Sequence, residues 1–149
     1  YAVDVNDGVL EVAASLGAQK INSRTTDPVA FLQNLGGADV AVDALGSEAT
    51  AGESVLSLAR CGRHLQLGLL LTPNGLTAMP MARVIAWELT LLGSHGMAAR
   101  DYPEMLALVA SRALDPSLLV KREVGIEDGA FALADLDNQA TGGITIIRA

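Results

Sequence analysis

The chain has 149 residues, half of them apolar, which is enough for one sizeable core and too little for two complete domains. Seventeen acidic against ten basic side chains give a formal net charge of -7, and no Lys/Arg cluster interrupts that balance, so neither nucleic acid nor an anionic membrane surface is an expected partner. The only cysteine, Cys61, can form neither an internal disulfide nor a cysteine cluster for zinc, and the expected setting is reduced and cytoplasmic.

The first element, Tyr1 to Val5, is a short β-rich run bounded by Asn6-Asp7-Gly8. A chain that opens inside a strand reads as a fragment. Val9, Leu10, Val12, Ala13 and Leu16 then recur at helical spacing, with Asn6 or Asp7 as N-cap and Gly17 as the residue that ends the helix. Lys20-Ile21-Asn22 is a second strand. Asp27-Pro28 opens a second helix that closes at Gly36-Gly37. Ala38 to Leu45 (ADVAVDAL) reads as a buried strand, and Ser47 caps a helix with Ala51, Val55, Leu56 and Leu58 on its apolar face, running to Arg60.

Arg63 to Leu71 is the next strand. Its apolar stretch from Leu65 onward is interrupted by Gln66 and Gly68 and is far shorter than the roughly 20 residues of a spanning helix. A loop at Thr72-Pro73-Asn74-Gly75, a short helix from Met81 to Ala86 and a strand from Leu89 to Gly93 (LTLLG) follow. Asp101 caps a helix through Ser111 with Met105, Leu106, Val109 and Ala110 on one side. Beyond Pro116, the charged segment Lys121-Arg122-Glu123 leads out of the layered pattern. A helix from Ile126 to Leu136 and a strand from Ile144 to Ile147, started by Gly142-Gly143, end the chain.

Strands alternating with helices at short connections require parallel pairing through right-handed crossovers. The predicted class is α/β: a partial doubly wound, Rossmann-type parallel sheet with helices on both faces. The boundary falls near Gly93, giving residues 1–93 as a partial dinucleotide-binding domain and 94–149 as a C-terminal segment that would complete the catalytic domain.

Ligands of such sheets sit at the carboxyl ends of the strands, where an acidic residue can accept both hydrogen bonds of a ribose diol. Asp4 is placed for that, and equally for a turn or helix cap. Asp43-Ala44-Leu45-Gly46 and Leu67-Gly68-Leu69 also end strands, and their glycines either admit a flat ring or ribose or simply make tight exits. No glycine-rich phosphate loop precedes the first strand. His64 and His95 lack partners at metal-ligand spacing, Ser94 has no evident base, and Cys61 reads as a small buried thiol.

The ordered set AVDVNDGVLEVAASLGAQKIN, GGADVAVDALGS, GRHLQLGLL, MPMARVIAWELTLLGSHGM and GGITIIRA resembles the C-terminal half of the medium-chain, zinc-type alcohol dehydrogenases over nearly the whole chain. The resemblance implies that Asp4, Val5 and Asn6 form the adenosine-ribose segment. Ala44, Leu45, Leu67, Gly68 and Leu69 would be cofactor-contacting strand ends, and Gly93 and Ser94 would lie beside the nicotinamide. An aspartate at this place suits the free 2′-hydroxyl of NAD and repels the 2′-phosphate of NADP. Val9 stands where many members carry a basic residue, and Gly143 where some carry an arginine facing the pyrophosphate. Zinc ligands in that family lie upstream, so no residue of this chain is expected to be catalytic. The strand Leu89 to Gly93 would pair coenzyme domains into a homodimer or higher.

The leading expectation is thus a fragment of an NAD-dependent oxidoreductase acting on a small alcohol or carbonyl substrate, with zinc held by the parent protein and the fragment itself inactive. Three alternatives stand beside it: a zinc-free quinone or enone reductase of the same superfamily, an S-adenosylmethionine-dependent methyltransferase-like domain, and a non-catalytic dimerisation module.

Overall fold

A computed structural model describes residues 1–136 and 143–149. The chain divides into two units, one of Tyr1–Thr25 with Met97–Ala149 and the other Thr26–Gly96.

In the Thr26–Gly96 unit, β3 (Ala38–Asp43), β4 (Leu58–Gln66) and β5 (Thr90–Gly93) form a parallel sheet in that order. Helix α2 (Pro28–Asn34) precedes β3, α3 (Glu48–Leu56) crosses from β3 to β4, and α4 (Met81–Ala86) lies between β4 and β5. The helix starts are set locally. Asp27 accepts the N–H groups of Val29 and Ala30, and Ser47 and Thr50 form a reciprocal capping box; such caps contribute about 1 kcal/mol each. The core is small: Ala51, Val55 and Leu58 are fully buried, with Leu32 at its margin. Gln33 ties α2 to the sheet, donating through Nε2 to the carbonyls of Leu56 (2.7 Å) and Leu58 (2.9 Å).

In the other unit, β1 (Ala2–Asp4) and β2 (Lys20–Asn22) pair in parallel around the crossover helix α1 (Asp7–Ser15), burying Leu10 and Ile21. Helix α5 (Tyr102–Ala110) follows. The parallel pair β6 (Val120–Gly125) and β7 (Ile144–Arg148) then encloses α6 (Ile126–Ala134) in sequence, with Ala132 buried. Every strand pairing is parallel, which bears out the α/β reading.

Several expectations need correction. The charged segment 121–123 does not lead out of the layers: it is the middle of β6, paired with a strand some twenty residues later, and Glu123 and Arg148 join the two through a bidentate ion pair (2.6 and 3.0 Å). Strand β3 stops at Asp43 and is not buried along its length, since Val40 and Val42 are half exposed on an edge strand. Helix α3 ends at Leu56 instead of Arg60, and β4 begins at once with Leu58. Between the pairs Ala38↔Leu58 and Val40↔Arg63, β3 advances two residues and β4 five, so β4 bulges there. Cys61 sits on that bulge with φ 59°, exposed, donating its N–H to the Trp87 carbonyl; it is not a buried thiol.

At its other end β4 stops at Gln66, so residues 67–71 are not strand. On α5, Met105 and Val109 are half-buried while Leu106 and Ala110 are exposed, and Asp101 makes no side-chain cap. A Cβ on Gly143 would lie 2.7 Å from the Leu119 carbonyl, so a larger residue there requires this backbone to shift. Gly142 lies outside the described residues.

Candidate functional site

The carboxyl ends of β3, β4 and β5 come together in one place. Asp43, the last residue of β3, is 4 % exposed. Its Oδ1 accepts the N–H groups of Leu45 (3.0 Å) and Gly46 (3.1 Å) and the Thr50 hydroxyl (3.1 Å), and its Oδ2 accepts Gln66 Nε2 (2.7 Å). An ionised carboxylate has about four acceptor positions, so this one is fully used by the protein. Burial pushes the carboxyl up, but the bonds from Gln66, Gly46, Thr50 and Leu45 favour the charged form by more and hold its pKa below the ordinary 3.8.

Gln66, the last residue of β4, extends the network. Its Nε2 also donates to the Gly68 carbonyl (2.8 Å), which fixes the amide so that Oε1 faces His64 Nε2 at 3.0 Å. His64, 2 % exposed, must therefore carry a proton on Nε2, and in the neutral ring Nδ1 accepts the Ser54 hydroxyl at 2.9 Å. His64 is thus a buried link near the carboxyl end of β4, and not at the strand's start, where the expected strand from Arg63 to Leu71 puts it.

The turns after β3 and β4 touch through backbone. Gly46 has φ +83°, and a Cβ on Gly68 would lie 2.2 Å from Gly46 N. Only glycine fits at this crossing. Beyond it, residues 66–70 and 93–96 line an open groove of about 640 Å³, with Ser94 N–H donating to the Gln66 carbonyl (3.0 Å) across its base. Leu67 and Leu69 are half or more exposed, offering an apolar wall.

The residues singled out from the sequence fall into two groups. Leu67, Gly68, Leu69, Gly93 and Ser94 share the groove, while Ala44 and Leu45 form the neighbouring turn, Leu45 being 75 % exposed. Asp4, Val5 and Asn6 belong to the other unit. There Asp4 Oδ1 accepts the Asn6 N–H (2.8 Å), and Asn6 Oδ1 caps α1 through Gly8 N–H (2.8 Å) and Val9 N–H (3.3 Å); Val5 is half exposed. Sequence reasoning missed Asp43, Gln66 and His64 as members of the site. The available signal was their polarity inside apolar strands, since a buried polar group requires partners. Among the described residues no three His, Cys, Asp or Glu side chains gather to hold a metal ion. No described helix is long and apolar enough to cross a membrane.

Comparison with known proteins adds three findings. The zinc-binding dehydrogenase family profile matches residues 1–111. An NAD-dependent alcohol dehydrogenase of Sulfolobus acidocaldarius is 24% identical over 147 residues, covering 98% of this chain and 42% of that protein. Among solved structures, benzyl alcohol dehydrogenase from Acinetobacter calcoaceticus superposes with a TM-score of 0.86 at 27% identity, covering 98% of this chain and 41% of that one. The alcohol dehydrogenase TADH from Thermus sp. ATN1 gives 0.86 at 26% identity, covering 99% and 43%. The chain therefore spans less than half the length of these relatives.

Proposed function

We propose that this chain, which belongs to the zinc-binding dehydrogenase family, forms the coenzyme-binding part of an oxidoreductase that moves hydride between an alcohol or carbonyl substrate and a nicotinamide dinucleotide, NAD in preference to NADP. The observation that supports the reading is the meeting of two parallel strand ends, those of β4 and β5, on one groove beside the end of β3, the place where sheets of this class bind their ligands. In it Leu67 and Leu69 would offer an apolar wall to the nicotinamide ring and exclude water from one face, while Gly68 and Gly93 would let backbone approach the ribose. The bound dinucleotide supplies the hydride acceptor or donor. Taken by itself, Asp4 at the end of β1 is of the type that would accept from a ribose diol, and its charge would disfavour a 2′-phosphate.

The described residues offer no zinc ligand set, and no step is assigned to a metal. The chain by itself binds the dinucleotide weakly and catalyses nothing. Calorimetric titration of the intact protein with NADH, NADPH and S-adenosylmethionine tests the reading: tightest binding of NADH is expected. Tighter NADPH binding would overturn the preference, and heat from S-adenosylmethionine with none from NADH would overturn the class. Metal analysis of the same protein separates a zinc enzyme from a zinc-free quinone or enone reductase.

The β5 edge supports a second part of the proposal, a homodimer. Among the described residues this strand pairs only with β4, and all four of its residues are exposed, Leu91 and Leu92 among them. Leu91→Lys is expected to shift the protein to monomer in light scattering; a wild-type monomer at micromolar concentration would contradict it.

A further inference from the structure

We infer that Asp43 is a positioning residue for the nicotinamide half of the cofactor, acting through Gln66 and the backbone of Leu67 and Gly68 on one wall of the groove. The inference rests on the reading of that groove as a dinucleotide site. Asp43 does not line the groove, and its carboxylate is consumed by four protein donors. What it does is hold the wall. Residues 67–70 have left the sheet, so the ladder no longer places them. Leu67 and Gly68 both donate their N–H groups to the Asp43 carbonyl (2.9 Å each), and the Gly68 carbonyl accepts from the Gln66 amide that Asp43 Oδ2 orients. The next backbone bonds, Leu71 N–H to the Leu69 carbonyl and Thr72 N–H to the Leu70 carbonyl, stay within the segment.

The opposite wall is tied to Gln66 through main chain, because Ser94 N–H donates to the Gln66 carbonyl. Asp43 thus orients the Gln66 side chain that braces one wall, while the Gln66 main chain holds the other. The donor and acceptor pattern is strict. In Asp43→Asn, an amide in place of Oδ2 would face Gln66 Nε2 donor to donor. An amide in place of Oδ1 would face the N–H groups of Leu45 and Gly46. Turning the Gln66 amide to cure the first clash gives up the Gly68 carbonyl and sets Nε2 against the His64 N–H. Gln66→Glu breaks the pattern from the other side by placing a second carboxylate beside Oδ2. Combining the two restores one complementary pair, amide to carboxylate, without the bond to Gly68.

The test is a double-mutant cycle on the intact protein, titrating wild type, D43N, Q66E and D43N/Q66E with NADH and with ADP-ribose, which lacks the nicotinamide. D43N is expected to bind NADH about tenfold or more weakly and ADP-ribose as wild type does, with the double variant recovering part of the NADH loss. Should D43N fail to fold, Q66E against wild type carries the same expectation. Unchanged NADH affinity in a folded variant, or equal losses for both ligands, would overturn the positioning role, since a purely structural defect spares neither ligand or spares both. A double variant no better than the summed losses would also overturn it. Wild type that binds neither ligand refutes the groove reading first, and the positioning role falls with it.

Discussion

Asp43 and Asp4 both close a parallel strand, yet their surroundings differ. Asp43 is buried under four donors drawn from its own turn, from α3 and from the neighbouring strand, so its charge is stabilised within the protein. Asp4 is half-buried, with the adjacent Asn6 N–H on one oxygen and the cap of α1 supplied by Asn6 instead. The difference shows that a carboxylate at the carboxyl end of a strand is not by position alone a ligand group. Burial and the number of internal donors decide whether it faces a ligand or braces the loop that does.

The largest effect expected from this contrast is in stability. Asp43→Ala leaves the Leu45 and Gly46 N–H groups and the Gln66 amide without their acceptor, and a loss of about 3 kcal/mol is expected in denaturant titration. Asp4→Ala removes one local bond and is expected to cost under about 1 kcal/mol. Equal losses would dissolve the distinction between the two aspartates. Next in size is Gly68→Ala, whose Cβ meets Gly46 backbone and should cost about 2 kcal/mol. Gly52→Ala on α3, where a Cβ meets nothing, should instead gain about 0.5–1 kcal/mol.

The acid limb sharpens the same point. Because the folded pKa of Asp43 is depressed, its contribution is fully present above the ordinary 3.8 and is lost as pH falls through the lower folded value. The stability gap between wild type and Asp43→Asn should therefore narrow on acidification below 3.8, read from thermal midpoints against pH; a gap constant with pH would contradict it. The smallest effect on folding but the more telling one on binding belongs to Asp4→Ala, expected to weaken NADH roughly tenfold while leaving NADPH little changed.

Much of the fold was legible in the sequence because its signals are local. Asn6, Asp27 and Ser47 cap the helices they precede in sequence, and crossover helices between short strands imply parallel pairing. The errors lie where partners are distant. Lys121-Arg122-Glu123 looks like a charged segment leaving the layered pattern until β7 pairs with it, and the bulge at Cys61 exists because β4 must return to register with β3. Leu67 and Leu69 continue an apolar run but sit outside the sheet, since Gly68 and Gly46 cross there.

The candidate site divides in the same way. The sequence by itself determined the alternation, the caps, the strand-end glycines and the family resemblance, all carried by neighbours along the chain. Only the tertiary structure decided that Asp43 faces inward to Gln66, that His64 is buried between Ser54 and Gln66, and that the ends of β4 and β5 share a groove. Those facts depend on hydrogen bonds between residues up to 23 positions apart and on the strand register that aligns them, and neither is encoded in local periodicity.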